Sequence, residues 1–301
     1  MTELAFTSKD FTSDQEVRWC PGCGDYAILK GLRKALAEIG RAPHDVVFIS
    51  GIGCAARFPY YISSYGFHTI HGRAAPVATG VKLANPDLDV WVVGGDGDFL
   101  SIGGNHLLHV LRRDIDVNLL LINNAIYGLT KGQYSPTSPI GTRSPSSPGG
   151  SREEPVNAVR FALSSSAKFV ARTVDALQDH LPDIIVRAHA HKGASLVEIL
   201  QNCIIYNDGV FGPIAEKNNA PDAAIRLKHG EPMIFGKQLD KGLIFDESSS
   251  TFHVVSAGGE AAEDRLAVHD EHNRMRALAL ADLTGSDGAP TPIGVIYANP
   301  D

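Results

Sequence analysis

The sequence predicts an α/β fold, a parallel sheet flanked by helices on both faces. Two observations carry this reading. Short apolar runs at 45–50, 90–93 and 117–122 alternate with longer segments of helical period. The connections are short, and each apolar run gives way to Gly or Asn, which suits loops at the carboxyl ends of parallel strands.

In order, 24–39 reads as a helix, because Ala27, Ile28, Leu32, Ala35, Leu36 and Ile39 fall on one stripe. Val46, Val47, Phe48 and Ile49 form a buried strand within 45–50. A helix over 76–84 has Pro76 near its first turn. Val90 to Val93 is a second strand, followed by Gly94-Gly95-Asp96-Gly97. A helix over 100–111 leads to the third strand, 117–122, which ends at Asn123-Asn124. The stretch 135–155 is rich in Ser, Pro, Gly and Thr and has no period. Such loops serve as lids or partner contacts, or are plain mobile surface. Helix, strand, helix and strand resume over 156–165, 168–171, 176–190 and 195–200, with Cys203 just beyond. After Gly209 the pattern weakens, with a strand at 251–257 and a helix within 259–283. The chain therefore divides into an N-terminal segment (1–24), a main domain (25–206) and a C-terminal extension (207–301) that packs on the domain or on a partner.

The chain has 301 residues, 44% of them hydrophobic, enough for a packed core. Its net charge of −7 and lack of dense Lys/Arg runs argue against nucleic-acid binding. The first residues lack the basic-then-apolar pattern of a secretory signal, and no run of about 18 apolar residues occurs. The expectation is a soluble, cytoplasmic protein.

Gly95-Asp96-Gly97-Asp98 ends one strand and Asn123-Asn124 ends another. A parallel sheet would set these two loops side by side. An Asp carboxylate and an Asn carbonyl are hard oxygen ligands for Mg²⁺, which takes part of its shell from phosphates. Glycines let backbone N–H groups approach an anion. Either motif alone reads as an ordinary turn. Together they describe a Mg²⁺–diphosphate site.

The four cysteines are Cys20, Cys23, Cys54 and Cys203. Cys20 and Cys23 lie in Trp19-Cys20-Pro21-Gly22-Cys23-Gly24, and Cys54 ends Gly51-Ile52-Gly53-Cys54. Four thiolates can close a zinc site or a four-iron cluster, and spacing alone accommodates both. A redox dithiol fits poorly, since Cys20-x-x-Cys23 follows no strand.

These motifs, with His71-Gly72-Arg73 and Tyr127-Gly128-Leu129-Thr130-Lys131-Gly132-Gln133 in the same order, resemble the β subunit of 2-oxoacid:ferredoxin oxidoreductases, 2-oxoglutarate type. The resemblance covers about 17–206. It implies a thiamine diphosphate-binding fold of the diphosphate type. It implies thiamine diphosphate and Mg²⁺, with Asp96, the Asn124 side chain and the Ile126 carbonyl as metal ligands. Ile52, Gly53, Cys54, Ala55, His71, Gly72, Gly97, Asp98, Gly128 and Leu129 would contact the cofactor. One [4Fe–4S] cluster would use all four cysteines. The implied reaction is reversible coenzyme A-dependent oxidative decarboxylation of a 2-oxoacid, 2-oxoglutarate first and pyruvate as the alternative, with electrons passing to ferredoxin. The pyrimidine-side domain would lie on an α subunit, giving an α2β2 complex. Lys131, Leu129 and Arg57 are the candidate catalytic positions. Lys131 is the candidate for pairing with a substrate carboxylate, and Arg57 a further one.

Two other functions compete, a thiamine-dependent decarboxylase or carboligase without redox chemistry and a zinc-stabilised binding module. His189 and His191 suit the end of a helix, where cations meet its dipole. His106 and His109 are packing or surface residues, with His106 at most behind the metal loop. Glu153-Glu154 reads as acidic charge at a helix N-terminus.

Overall fold

The computed structural model describes residues 6–258, 265–285 and 288–299. Eleven strands are found among them: β1 (Val46–Ser50), β2 (Tyr65–His68), β3 (Asp89–Gly95), β4 (Asn118–Asn123), β5 (Phe169–Val174), β6 (Ser195–Leu200), β7 (Ala224–Arg226), β8 (Ile234–Phe235), β9 (Lys241–Asp246), β10 (Thr251–Ser256) and β11 (Thr291–Ala298). The helices are α1 (Asp25–Ile39), α2 (Phe58–Tyr61), α3 (Ala74–Ala84), α4 (Gly104–Arg112), α5 (Ala158–Ser164), α6 (Leu181–Ala190), α7 (Gly212–Ala215), α8 (Ala220–Ala223) and α9 (Arg274–Ala281).

Eight strands form the main sheet in the order β2-β1-β3-β4-β6-β5-β11-β7. The first six are parallel. β11 joins β5 antiparallel, and β7 runs parallel to β11. β8, β9 and β10 make a separate antiparallel sheet. Strand period puts alternate side chains on opposite faces. Val47, Ile49, Val90, Val92, Leu119 and Leu121 pack beneath α3, α4, α5 and α9. Phe48, Trp91, Val93, Leu120, Ile122 and Val197 pack beneath α1 and α6. Burial on both faces explains why these strands read as unbroken apolar runs.

Helix ends follow local chemistry. α1 closes at Gly40, whose φ of 75° lets its N–H reach the Leu36 carbonyl. The expected helix at 100–111 is instead broken. Ser101 has non-helical angles (φ −92°, ψ −109°), so a wide turn over Asp98–Ile102 precedes α4. The expected helix at 176–190 begins only at Leu181, with Pro182 in its first turn, where a missing N–H costs nothing. Glu153 and Glu154 are not at a helix N-terminus. α5 starts at Ala158, capped by Asn157 accepting from the Arg160 N–H (3.0 Å). Glu153 accepts instead from the Tyr134 hydroxyl (3.3 Å). His189 lies in the last turn of α6, stacked on Trp91 and paired with Asp89. Of the segment 259–283, residues 259–264 lie outside the described residues, and α9 falls within the rest.

The stretch 135–155 folds on itself. Gly141 N–H donates to the Ser151 carbonyl (2.9 Å), and Val156 N–H to the Pro136 carbonyl (2.8 Å). No helix among the described residues is long and apolar enough to cross a membrane.

Beneath the sheet's carboxyl edge lies a buried charge pair. Arg172 on β5 donates Nε–H to Glu198 on β6 (2.7 Å), and Asn123 donates to the other carboxylate oxygen (2.8 Å). Their strands are hydrogen-bonded neighbours with Arg172 opposite Glu198. Glu198→Gln should destabilise the chain by about 3–5 kcal/mol, because it strands a buried guanidinium. Denaturant unfolding that detects a loss below about 1 kcal/mol would contradict this account.

Candidate active site

Four adjacent parallel strands end together. Ser50 of β1 is opposite Val93 of β3, Gly95 opposite Ile122 of β4, and Asn123 opposite Leu200 of β6. Strand spacing is about 4.8 Å, so the loops that follow are crowded onto one edge. They carry Ile52 to Ala55, Asp96 to Asp98, Asn124 to Lys131, and Cys203.

One carboxylate ties two of these segments to the His71-Gly72 turn before α3. Asp98 Oδ1 accepts from the Ile52 N–H (3.0 Å), the Gly72 N–H (2.8 Å) and His71 Nδ1 (2.7 Å). Its Oδ2 is buried without a partner. Asp98 is thus a positioning group for the loops after β1, before α3 and after β3, as well as part of the cavity wall. Gly97 must be glycine for a simple reason. A Cβ there would lie 2.1 Å from the Tyr127 ring.

Asp96 is 2% exposed and sits under the start of the 135–155 segment. Its Oδ2 accepts from the Ser135 hydroxyl (2.5 Å) and the Thr137 hydroxyl (2.6 Å). Asn123 Oδ1 lies 2.8 Å from the same Thr137 hydroxyl and shares its proton. Burial raises the Asp96 carboxyl above its usual range, and the two hydroxyls oppose that rise. The Asn124 and Ala125 carbonyls accept from Asn207 Nδ2 (2.9 and 3.2 Å), and Asn124 Oδ1 accepts from the Ile126 N–H (3.2 Å). Ser135, Thr137 and Asn207 were not singled out from the sequence. Their hydroxyl and amide groups carry no spacing signal, and only the fold brings them under the acid–amide loops.

Asp96, Asn124 and Ile126 line one cavity of about 170 Å³, together with Ile52, Gly53, Cys54, Ala55, His71, Gly97, Asp98, Gly128 and Leu129. The Gly72 side lies outside it, with its N–H turned into the Asp98 clamp. Three hard oxygen donors with glycine-rich backbone suit a hydrated Mg²⁺ and a diphosphate.

All four cysteines line a second cavity of about 220 Å³. None is in a disulfide. Cys203 is buried and Cys20 exposed. Trp19 anchors the N-terminal pair. Its ring packs on Phe58 and Tyr61 at 5.0 and 4.8 Å, and its Nε1–H donates to the Cys54 carbonyl (2.8 Å). The Gly24 N–H donates to the Asn202 carbonyl (3.2 Å), drawing Cys23 towards Cys203. Gln201 Nε2 donates to Cys23 Sγ (3.2 Å). Burial, helped by the Asp25 carboxylate, pushes the Cys54 thiol up to about 11 and raises Cys23 as well. Asp25 itself is pushed by burial to about 7. Burial thus disfavours the thiolates despite the cations at the rim, and a bound metal centre would stabilise them.

The two cavities share Cys54, Asn124, Gly128 and Leu129 as a common wall. Gly128 contributes only backbone to it. A Cβ there would be 3.5 Å from Cys203 Sγ and 3.6 Å from Cys54 Sγ. Lys131, with φ of 77° in the turn closed by Gly132 N–H to the Tyr127 carbonyl, stands exposed on the rim of the cysteine cavity. Arg57 shares that rim, its Nη1 donating to the Arg18 carbonyl (3.0 Å). Leu129 and Arg57 also border an open cleft of about 550 Å³. Neither His106 nor His109 borders any of these cavities.

An α/β domain with an acid–amide loop pair at its carboxyl edge is the arrangement of thiamine diphosphate-binding proteins. The chain matches the family described as thiamine pyrophosphate enzyme, C-terminal TPP binding domain, over residues 51–199. It is 51% identical over 297 residues to 2-oxoglutarate oxidoreductase subunit KorB of Mycobacterium tuberculosis, covering 98% of this chain and 78% of that one. It is 48% identical over 190 residues to 2-oxoacid:ferredoxin oxidoreductase 1, subunit beta, of Aeropyrum pernix, covering 63% of this chain and 60% of that one. Among solved structures it is similar to the 2-oxoglutarate:ferredoxin oxidoreductase from Magnetococcus marinus with 2-oxoglutarate, coenzyme A and succinyl-CoA bound. That match has a TM-score of 0.79 and 33% identity, over 100% of this chain and 87% of that one. The chain belongs to the family of 2-oxoglutarate and 2-oxoacid:ferredoxin oxidoreductase β subunits.

The Asp98 clamp has a measurable consequence. Asp98→Ala leaves the Ile52 and Gly72 N–H groups without their charged acceptor and should cost about 3 kcal/mol or more. Asp98→Asn keeps one acceptor oxygen and should cost less. Equal stability of all three proteins in urea titrations would contradict the clamp.

Proposed function

We propose that this β subunit holds thiamine diphosphate through Mg²⁺ at Asp96, Asn124 and the Ile126 carbonyl, and one [4Fe–4S] cluster at Cys20, Cys23, Cys54 and Cys203. With an α subunit it would oxidise 2-oxoglutarate to succinyl-CoA and CO₂, reversibly, in the cytoplasm. The single observation that carries this reading is the shared wall between the oxygen-lined and thiol-lined cavities. A non-redox thiamine enzyme has no need of four converging thiols beside its diphosphate site. A zinc module has no need of the acid–amide pair.

When bound, the thiamine ring supplies an electron sink for decarboxylation and the cluster a one-electron relay. The chain's own residues have narrower tasks. The Ser135 and Thr137 hydroxyls hold one Asp96 oxygen and orient the other. Asp98 fixes the loops carrying Ile52, His71 and Gly72. Leu129 adds an apolar side chain to the wall that the two cavities share. Lys131 and Arg57 offer cations to the carboxylates of a dicarboxylic substrate. The pyrimidine half would lie on the α subunit, in an α2β2 assembly, which fits a match to the C-terminal TPP binding domain alone.

The test is anaerobic purification with the α subunit, an iron assay and a panel of 2-oxoacids. About four irons per β chain are expected. Viologen reduction should require coenzyme A and both subunits, and 2-oxoglutarate should be the best substrate. A colourless, iron-free but decarboxylating complex would favour the non-redox alternative. Cys203→Ser should lose the iron chromophore.

Lys131→Ala should raise the KM for 2-oxoglutarate by about tenfold or more, as loss of one charge-assisted contact would. Pyruvate, with no distal carboxylate, should be less affected. Equal losses for both substrates would remove Lys131 from substrate selection.

A further inference from the structure

We infer that a cationic strip along α1 is the docking surface for an acidic one-electron carrier of the ferredoxin class. This rests on the function proposed above and names where its electron partner binds. The chain is acidic overall, with a net charge of −7. Yet Lys9, Lys30, Arg33 and Lys34 border one open groove of about 600 Å³, together with Tyr26. Lys30, Arg33 and Lys34 are three and four residues apart, which puts them on one face of the helix. Among the described residues no carboxylate pairs with Lys9, Lys30 or Lys34. The groove's own lining carries four cations and no carboxylate, while Asp10 and Glu38 lie beside it in sequence, Glu38 one turn beyond Lys34. Asp10 accepts from the Thr7 N–H and hydroxyl, and Glu16 pairs with Arg18. Arg33 donates to the Tyr61 carbonyl, yet its Nε is buried without a partner. The groove is therefore locally positive on an acidic protein, which attracts an acidic protein and speeds its arrival.

Its position joins it to the thiol cavity. Tyr26 lines the groove, donates its hydroxyl to the Trp19 carbonyl (3.2 Å) and packs edge-on against the Trp19 ring at 5.6 Å. Trp19 in turn donates to the Cys54 carbonyl. At 1.5 Å per residue, Lys30 and Lys34 lie only about 8 and 14 Å along α1 from Asp25, at the cysteine end of the helix. A carrier seated on the strip would lie against that short path. Large exposed apolar side chains, which a permanent subunit covers, gather elsewhere. Tyr65 and Phe67 are on β2, an edge strand of the main sheet, and do not line the groove. A charged strip with few such residues fits a partner that binds and leaves.

Turnover needs two such visits. One 2-oxoacid anion, one coenzyme A thiol and two oxidised carriers give acyl-CoA, CO₂, one proton and two singly reduced carriers. Each docking moves one electron, and no bond forms between the proteins.

The experiment uses the αβ complex with two acceptors, a purified acidic ferredoxin and methyl viologen. Lys30→Glu with Lys34→Glu should raise the KM for ferredoxin by about tenfold at low salt, with viologen rates unchanged, and the difference should shrink at high salt. The double Lys→Gln variant should fall between. An unchanged ferredoxin KM overturns the proposal. So does loss of the α subunit on gel filtration, which makes the strip a subunit interface, or a raised coenzyme A KM with viologen, which gives it to a nucleotide. Absence of viologen activity in the unaltered complex would instead defeat the function on which this inference rests.

Discussion

The register of the β1-β3-β4-β6 ladder is the constraint on which everything else depends. Parallel pairing sends each strand's carboxyl end to the same edge. The pairs Ser50–Val93, Gly95–Ile122 and Asn123–Leu200 then align those ends to within a residue or two. A slip of one residue in any pair would exchange the side chains packed beneath α1 and α6 for those packed beneath the helices of the other face and move its loop along the edge. Burial on both faces forbids that slip. The convergence of Cys54, Asp96, Asn124 and Cys203 is thus a consequence of core packing, before any ligand is considered.

Converging polar loops are expensive to bury, and the structure offsets the cost with internal partners. Asp98 takes three donors, Asp96 two hydroxyls, and Glu198 both Asn123 and Arg172. Hydrogen bonds to the charged form offset desolvation only in part, so Asp96 remains raised. On the cysteine side the cations Arg57 and Lys131 stand only at the rim. Asp25 beside Cys23 disfavours its thiolate further. On the proposed reading, a multivalent positive centre in one cavity and a cation-bridged anion in the other would supply the balance.

Much of this arrangement was legible because its signals are local. Doubly buried strands read as apolar runs, and β1, β3, β4, β5 and β6 were all anticipated to within a few residues. The Gly-Asp-Gly and Asn-Asn motifs stood at strand ends, where the structure has them. The failures share a cause as well. β2 is an exposed edge strand whose Tyr-Gly-Phe-His run has no buried face. β11 is buried along most of its length, but Pro292 and Gly294 disguise it, and it becomes a strand by pairing with β5 across more than a hundred residues. The break at Ser101 follows from packing that draws Asp98 into its clamp, since helical periodicity alone carries on through 100–111. Ser135 and Thr137 looked like loop composition because their role depends on where the chain folds back.

The shared wall constrains what chemistry the two cavities can support. At Gly128 only backbone stands between the oxygen-lined space and two sulfurs, and even a methyl group there would come to about van der Waals distance of both. A larger side chain would push against Cys54 and Cys203 or enter the cofactor space. Proximity of this kind is pointless for a zinc centre, which has no redox role. For an electron relay it sets the one quantity the protein can control, the separation between donor and acceptor. The fold controls it with a glycine on the turn after β4, held by the backbone pairing of Tyr127 with Gln133.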